Sequence, residues 1–538
     1  MAFSSKGNVA ASITLGSRLS DAFDVALPRL IKRDTGSPWR ADWFADLNFM
    51  GHYYALREYL YYTYNRPGSV EWTFTRDHVR VRYSDISIPR QFVHNWNRRL
   101  RELFDVHQLV GDRANEVRNI LCDADELSEF GESDRISEAF ALISEEAEER
   151  MRINFDILGG EESQVTLPAY GYADFYRVYK YLLTKMLYHR YYAEVNNTWA
   201  TFMFPERDLV KELIVGTGLD GMVVEQVLRD LTYTRKSGKA PPMYFPIVKH
   251  RRSPNYIIVP ERFISDDGLA QFLRIQALKD PQWFTAEISN VLGDSFVDII
   301  YRRAIEAGYF ACKGVDLHRF DDRAPDIDLM IWSREPTLGY FAFLIEAKAV
   351  IPAMWSKDYL RVLASDSLSK AFVQVDRLRQ VLNRPEVTDY LVARIIEEDS
   401  EPLPNGVVLM NQLIVSSQNA GMFFEEEGLP QVVDYLTLMQ ILEYSDGDIV
   451  YLLDMLKRLR RGGEFAMQSM SIDVAGVNVS YDVISPSEPE IFPRHAWKSQ
   501  GRDQEATAEF FASGGELFHP DKHIGFKDGL PFASCDTE

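Results

Sequence analysis

Two apolar runs that carry charged residues constrain the fold of this chain more than any other feature. The stretch "APDIDLMIWSREPTLGYFAFLIEAKAV", residues 324–350, contains "IDLMIW" and "YFAFLI", and both have the composition of buried β-strands. Asp326 and Asp328 open the first run, and Glu346 and Lys348 close the second. Because burial of an unpaired charge costs several kcal/mol, these side chains must find partners in the folded protein.

Side-chain alternation predicts which of these charges converge. Successive residues of a strand point to opposite faces, so Asp326 and Asp328 share a face of the first strand, and Glu346 and Lys348 share a face of the second. If the strands are antiparallel neighbours joined through "SREPTLG", one register brings Asp328 beside Glu346 and Lys348. Paired carboxylates and a backbone carbonyl form the hard-oxygen site that Mg²⁺ prefers. A nearby lysine can orient an attacking water or stabilise transition-state charge.

This arrangement resembles the PD-(D/E)xK nuclease superfamily, whose members share the restriction-endonuclease-like fold. The resemblance is carried by Pro325-Asp326-Ile327-Asp328 and by Glu346-Ala347-Lys348. Helical patterns also flank the two strands as in that superfamily: "GDSFVDIIYRRAIEAGYF" precedes them and "SKAFVQVDRLRQVL" follows them. The resemblance spans roughly residues 285–440. It implies an α/β (α+β) fold in which helices flank a restriction-endonuclease-like mixed sheet.

The resemblance also implies a role for each residue of the motif. Asp328 and Glu346 would bind Mg²⁺ through their carboxylates, and Ala347 would bind it through its backbone carbonyl. Mn²⁺ would substitute for Mg²⁺. Lys348 would serve the nucleophilic water in an in-line attack on a phosphodiester.

Residues outside the two strands complete the implied site. Gln374 of the following helix would support the phosphate or the lysine, and Lys370, four residues earlier on the same helix face, would contact nucleic acid. Asp326 remains a second candidate for the family aspartate, although the pattern favours Asp328. The helix before the strands offers Asp298 as its candidate metal-binding acid.

A second region, residues 205–260, has the pattern of two helices followed by a hairpin. "DLVKELIV", the turn "GTGL" and "DGMVVEQVLRDLTY" precede the basic segment "PMYFPIVKHRRSPNYIIVP". This order resembles a winged-helix module, a common DNA reader, with Lys249, Arg251 and Arg252 as nucleic-acid contacts. A structural helical hairpin with a solvated basic loop is an equal alternative.

The glycines in the same region match a dinucleotide-binding fingerprint, but the segment before them does not. "GTGLDG", Gly216 to Gly221, matches GxGxxG. A dinucleotide fingerprint follows a strand, whereas the preceding "PERDLVKELIV" has helical periodicity. We therefore interpret these glycines as part of a helix–turn–helix.

The length of 538 residues requires several domains. The sequence predicts a mainly helical accessory domain over 1–204 and a winged-helix-like module over 205–275. A nuclease-like domain follows over 276–480, and an extended or partly disordered tail over 481–538.

Charge and cysteine content restrict the cellular setting. The net charge of −21 opposes a broad nucleic-acid surface, but the acidic residues concentrate in 101–150 and 401–450, which leaves room for a local basic groove. The three cysteines are widely separated, as in a reducing cytoplasm. With no signal-peptide pattern and no long apolar run, we expect a cytoplasmic protein without a membrane partner.

The PD-(D/E)xK resemblance implies a metal-dependent endonuclease that hydrolyses phosphodiester bonds, with DNA favoured over RNA as the substrate. Since cutting both strands of a duplex requires two active sites, a homodimer or larger oligomer is expected. A prokaryotic restriction or anti-phage defence effector, with a defence-system partner protein, follows from analogy at the level of the fold. The alternative is a non-catalytic nucleic-acid-binding or scaffold protein that retains the nuclease-like fold.

Overall fold

The computed structural model of the protein describes residues 43–85, 88–89, 113–122, 134–155, 158–197, 202–234, 244–249, 254–258, 260–264, 268–335, 339–351, 368–400, 407–417, 428–448, 451–453, 455–456, 465–474, 476–486, 522–527 and 530–535. The longer helices are α1 (Trp43–Asn65), α2 (Asp134–Phe155), α3 (Tyr172–Val195), α4 (Glu206–Thr217), α5 (Gly221–Leu231), α6 (Pro260–Ile264), α7 (Gly268–Lys279), α8 (Ser289–Glu306), α9 (Leu368–Leu382), α10 (Pro385–Glu397) and α11 (Tyr435–Ser445). A helical turn at Pro281–Trp283 and a π-helical turn at Phe284–Ile288 lead into α8.

The strands are β1 (Val70–Phe74), β2 (His78–Tyr83), β3 (Phe202–Pro205), β4 (Thr232–Tyr233), β5 (Ile247–Lys249), β6 (Asn255–Ile258), β7 (Phe310–Val315), β8 (Ile327–Glu335), β9 (Gly339–Lys348), β10 (Val407–Ser416), β11 (Gln431–Asp434), β12 (Phe465–Val474), β13 (Val477–Pro486), β14 (Lys522–Lys527) and β15 (Leu530–Cys535). Helices and mixed sheets therefore coexist, which confirms the α/β (α+β) class expected from the sequence. Within the described ranges, no helix is long and apolar enough to cross a membrane.

The chain forms two compact units whose limits differ from the sequence-based boundaries. The first unit comprises residues up to Tyr54 together with Arg101–Leu292, and the second comprises Ala55–Leu100 together with Gly293–Glu538. The early segment joins the C-terminal part because β2 pairs in parallel with β13, with His78 opposite Asn478. A pairing across 400 residues leaves no local sequence signal, so the sequence assigned this segment to the N-terminal domain.

The first unit contains the two helices and the hairpin that were expected between residues 205 and 260. Gly218 ends α4 in a left-handed conformation, and the Asp220 side chain caps α5 by accepting a hydrogen bond from the Met222 amide at 2.8 Å. Strands β5 and β6 then pair antiparallel in a four-stranded sheet of order β3-β6-β5-β4. A helix, rather than a strand, precedes the "GTGLDG" glycines, as the sequence indicated.

A small sheet in the second unit has the order β1-β2-β13-β12. A hairpin turns around Asp77 and His78, since β1 and β2 pair antiparallel from Val70 opposite Tyr83 onward. The C-terminal part of α1 packs on this sheet, where Tyr59 lies in one buried cluster with Val81 and Tyr481. Alternation thus buries Val81 of β2 and Tyr481 of β13 beneath the helix.

The larger sheet of the second unit has the order β11-β10-β9-β8-β7. Strands β7, β8 and β9 form an antiparallel meander, whereas β10 runs parallel to β9 and to β11. The crossover from β9 to β10 contains α9 and α10, as a parallel connection requires. The two predicted strands correspond to β8 and β9, and the helical patterns before and after them correspond to α8 and α9.

Both faces of this sheet are covered. Leu378 and Val381 of α9 pack with Met330, Trp332 and Leu344, which are even-numbered residues of β8 and β9. On the opposite face, Leu329, Ile331, Phe341, Phe343 and Ile345 are also buried. Helix α11 contacts β10 and β11, and its Tyr435 ring meets Phe296 of α8 edge-on. Burial on both sides explains why the two runs read as almost continuous apolar sequence.

The C-terminal region that was expected to be extended or partly disordered contains a hairpin. Strands β14 and β15 pair antiparallel, with Lys522 opposite Cys535 and Lys527 opposite Leu530. This hairpin contacts α9 within the second unit. The tail therefore contributes regular structure next to a helix that flanks the larger sheet.

Candidate active site

The antiparallel register of β8 and β9 brings the charged ends of both runs together. The pairing extends from Glu335 opposite Gly339 to Leu329 opposite Ile345. One step further, the same register sets Asp328 against Glu346. There the Ala347 amide donates a hydrogen bond of 2.8 Å to Oδ2 of Asp328. The side chain of one strand is thus tied to the backbone of the other at the end of the pair.

Glu346 and Lys348 lie on the same face of β9 and form an ion pair. The Glu346 side chain is 7% exposed and that of Lys348 is 20% exposed. Oε1 of Glu346 is buried, and apart from this ion pair it has no hydrogen-bond partner among the described residues. The alternation expected from the sequence is therefore present, and the ammonium group offsets part of the charge that Glu346 brings into the sheet.

Burial raises the pKa of both carboxyl groups. Burial, followed by the charge of Asp328, raises the pKa of Glu346 to about 7, against the opposing effect of Lys348. Burial likewise raises the pKa of Asp328, while the Ala347 amide and Lys348 act in the other direction. Neighbouring carboxyl groups with raised pKa values are a recognised property of functional sites, since a fold has little other reason to bury them together.

The oxygen atoms at this position suit a hard divalent cation. The Ala347 N–H points from β9 toward Asp328, and in a strand the N–H and C=O of one residue point to the same side. The Ala347 carbonyl therefore points toward Asp328 as well. Two carboxylates and a carbonyl would offer three oxygen ligands, and a cation would relieve both the repulsion between the carboxylates and the cost of burying them.

Helix α8 carries two aspartates, Asp294 and Asp298, in different surroundings. Asp298 is exposed and forms an ion pair with Lys313 of β7. Asp294, one turn earlier on α8, is the helical acid whose charge contributes to the raised pKa of Asp328. The sequence contains both aspartates around Phe296, and only the position of the helix relative to β8 distinguishes them.

Helix α9 packs beside β9 and β10. Gln412 of β10 lies opposite Leu344 and donates a hydrogen bond to the Val375 carbonyl at 3.3 Å. Leu378 and Val381, later in the helix, belong to the same buried cluster as Leu344. Gln374 is half-buried beside Val375, and Lys370 is exposed, so both residues lie in the first half of α9.

Asp326 belongs to a separate group of side chains. Strand β8 begins at Ile327, so Asp326 precedes it, and its Oδ1 is 3.0 Å from Nδ1 of His318. His318 is also 3.2 Å from Asp316, and these hydrogen bonds, with Asp316 first, raise the pKa of the imidazole. The three exposed residues present ligand atoms within 4.8 Å of one another, a spacing that could hold a metal ion. The sequence did not indicate this group because its members lie in the β7–β8 connection.

Of the three basic residues expected to contact nucleic acid from the β5–β6 segment, the structure describes Lys249. Lys249 forms a 2.8 Å ion pair with Glu206, and its ammonium group lies 5.5 Å from the centre of the Tyr256 ring. Arg251 and Arg252 lie outside the described residues. The charge of Lys249 is thus partly neutralised within the first unit.

The structure brings together Asp328, Glu346, Ala347 and Lys348, and adds Asp294 to their surroundings. Asp326 instead contacts His318, and Asp298 forms an ion pair with Lys313. Comparisons of the chain with protein-family models, with curated proteins and with solved structures find no match.

Proposed function

We propose that this protein is a Mg²⁺-dependent nuclease that hydrolyses phosphodiester bonds, most simply those of DNA. The observation that carries the proposal is the meeting of Asp328, Glu346 and Lys348 where β8 begins and β9 ends, with the Ala347 amide bound to Asp328. The PD-(D/E)xK resemblance of the sequence supports the same assignment. The order of helix, antiparallel strand pair and helix around these residues adds further support.

Each residue has a distinct chemical task in this proposal. Asp328, Glu346 and the Ala347 carbonyl would hold Mg²⁺, which supplies water activation and polarisation of a phosphoryl oxygen when it is bound. Lys348, whose ammonium group lies beside Glu346, would orient the attacking water and stabilise negative charge on the phosphate. Gln374 and Lys370 would approach the phosphate from α9.

A cleavage assay tests the proposal. The full-length chain is incubated with supercoiled plasmid, linear duplex, single-stranded DNA and RNA, with Mg²⁺, with Mn²⁺ and with EDTA. We expect metal-dependent cleavage that falls by at least about 100-fold in Glu346→Gln and in Lys348→Met. Asp298→Asn and Lys313→Met serve as matched controls, because they remove an ion pair of the same charges on the neighbouring strand and helix.

The two possible failures have different meanings. If all substrates stay intact with both metals, the non-catalytic alternative is favoured, namely a nucleic-acid-binding or scaffold protein that keeps this fold. If cleavage occurs but is insensitive to Glu346→Gln and Lys348→Met, the protein is a nuclease whose active site lies elsewhere. A restriction or defence role, and a partner protein within such a system, become testable only after cleavage is established.

We also propose that the first unit contributes nucleic-acid binding through the segment from α4 to β6. The arrangement of α4, α5 and the antiparallel β5–β6 pair is consistent with a winged-helix-like module. The sequence places Arg251 and Arg252 in the connection between those strands. Charge reversal of Arg251 and Arg252 should weaken DNA binding and flatten its salt dependence, whereas Lys249→Glu should have less effect because Lys249 is paired with Glu206.

A further inference from the structure

Strand β12 forms an unusually open sheet edge. It pairs with β13 along all ten residues, from Phe465 opposite Pro486 to Val474 opposite Val477. No strand of the described chain pairs with its other side. Met467 and Met470 are each 40% exposed and Val474 is 43% exposed, and these residues point to both faces of the strand. An open edge with apolar side chains on both faces is a template for pairing with another strand.

Other edges in the second unit are protected by devices that β12 lacks. At the opposite edge of the same sheet, β1 has five residues, and Glu71 forms a 2.7 Å ion pair with Arg82. In the larger sheet, edge strand β7 carries Lys313, and the other edge, β11, has four residues. Strand β12 has no lysine, no proline and an unbroken one-to-one register. Natural proteins rarely leave such an edge unpaired.

The hydrogen-bond pattern identifies the backbone groups that β12 offers. The Asn478 amide donates to the Asp77 carbonyl at 3.0 Å, so the even-numbered residues of β13 face β2 and its odd-numbered residues face β12. Tyr481, an odd-numbered residue, lies opposite Met470. The even-numbered residues of β12 therefore bond to β13, and the N–H and C=O groups of Ser469 and Ser471 point to the open edge.

We propose that this edge pairs antiparallel with β12 of a second copy of the chain, about a twofold axis at Ser469 or Met470. Each copy carries a net charge of −21, so association is least opposed where charge is sparse. Asp473 is the one charged residue of β12. Asp473 faces Phe465 of the partner strand if the axis passes through Ser469, and Met467 if it passes through Met470. In both cases the two Asp473 carboxylates lie about 20 Å or more apart. Pairing of the two strands therefore brings no like charges together.

This pairing joins two four-stranded sheets into one continuous sheet with the two copies of β12 at its centre. The interface is a single strand pair and its side chains, which is small beside the roughly 1,600 Å² of a standard interface. We therefore expect a reversible dimer whose population rises with protein concentration. The inference is independent of the proposed nuclease activity.

Sedimentation velocity of the full-length chain over the micromolar range tests the proposal. The wild type should shift from monomer to dimer, and a double variant, Ser469→Pro with Ser471→Pro, should remain monomeric because it removes two outward N–H groups that the protein's own sheet does not use. Ser469→Ala with Ser471→Ala keeps those groups and should still dimerise. A wild type that stays monomeric, or a proline variant that dimerises like the wild type, overturns the proposal.

Two further variants keep the test decisive if proline perturbs folding. Ser469→Lys with Ser471→Lys places like charges opposite one another in the pair, on the face away from Tyr59, and should also give a monomer. Oxidation of Met470→Cys or Ser469→Cys should give a covalent dimer, whereas Thr73→Cys on β1 should match the parent chain. Equal cross-linking from Thr73→Cys would overturn the proposal.

Discussion

The Ala347 amide of β9 donates a 2.8 Å hydrogen bond to the carboxylate of Asp328 in β8. In a continuing strand pair this amide would instead donate to a backbone carbonyl. This contact holds a charged side chain of β8 against the backbone of β9. Because Glu346 and Lys348 flank Ala347 on the same strand, the position of Asp328 relative to both is fixed by the sheet register. A site built on paired strands is more rigid than one built on loops, which suits the cation site proposed here.

Divalent cations should stabilise the protein through Asp328 and Glu346. Addition of Mg²⁺ or Mn²⁺ should raise the thermal unfolding temperature, and EDTA should reverse the shift, because a ligand that binds only the folded state stabilises it. Asp328→Asn should weaken metal binding by about 100-fold. Differential scanning fluorimetry across a metal titration measures both effects. Asp326→Asn removes a charge that also raises the pKa of Asp328 but lies outside the strand pair, so it should weaken binding less than Asp328→Asn. An equal loss in the two variants would transfer the binding site to the His318 group.

The free energy of unfolding should fall as the pH rises from about 4.5 to about 7 in the absence of metal. The pKa of Glu346 is raised from 4.5 to about 7, so within this window the folded protein holds a proton that the unfolded chain releases. The contribution is fully present below pH 4.5 and is lost above pH 7. Over the whole window it amounts to about 3 kcal/mol.

Chemical denaturation at several pH values, compared between wild type and Glu346→Gln, isolates this contribution. The glutamine variant should lack the slope and gain stability relative to the wild type as the pH rises. A difference between the two proteins that does not change from pH 5 to pH 8 would contradict the raised pKa of Glu346. Saturating Mg²⁺ should reduce the difference, since a bound cation favours the ionised carboxylate.

The two aspartates of α8 should differ in their effect on the site. Asp294→Asn removes a charge that raises the pKa of Asp328, and should change metal affinity and its pH dependence. Asp298→Asn breaks an exposed ion pair with Lys313 and should leave metal affinity unchanged, with a stability loss of at most about 1 kcal/mol. Isothermal titration with Mn²⁺ compares the variants. The reverse order of effects would support Asp298 as the helical acid.

Gly216 should not tolerate even an alanine. A Cβ at this position of α4 would lie 2.1 Å from the Tyr181 ring of α3, so Gly216→Ala should destabilise the first unit by about 1–3 kcal/mol. Gly293→Ala is the contrasting variant, because a Cβ there meets no described atom within 4 Å. It should stabilise α8 by about 1 kcal/mol. Thermal unfolding followed by circular dichroism gives both values, and a stable Gly216→Ala protein would argue against this packing of α3 on α4.

The secondary structure was largely readable from the sequence because it is encoded locally. The apolar runs at 327–332 and 340–345 became β8 and β9, and the caps and glycines of "GTGLDG" ended α4 and started α5. Alternation also indicated that Glu346 and Lys348 share a face, which their ion pair confirms. These features depend on residues a few positions apart, so a local pattern is sufficient to predict them.

Contacts between distant segments were decided only when the chain folded. The pairing of His78 with Asn478 moved the early hairpin into the second unit, and the packing of α8 brought Asp294, rather than Asp298, into the electrostatic surroundings of Asp328. The sequence favoured Asp328 but left Asp326 as a second candidate, whereas in the fold Asp326 precedes β8 and meets His318, and Asp328 reaches the Ala347 amide. Such choices depend on strand register and helix position, which arise from the summed packing of the whole core.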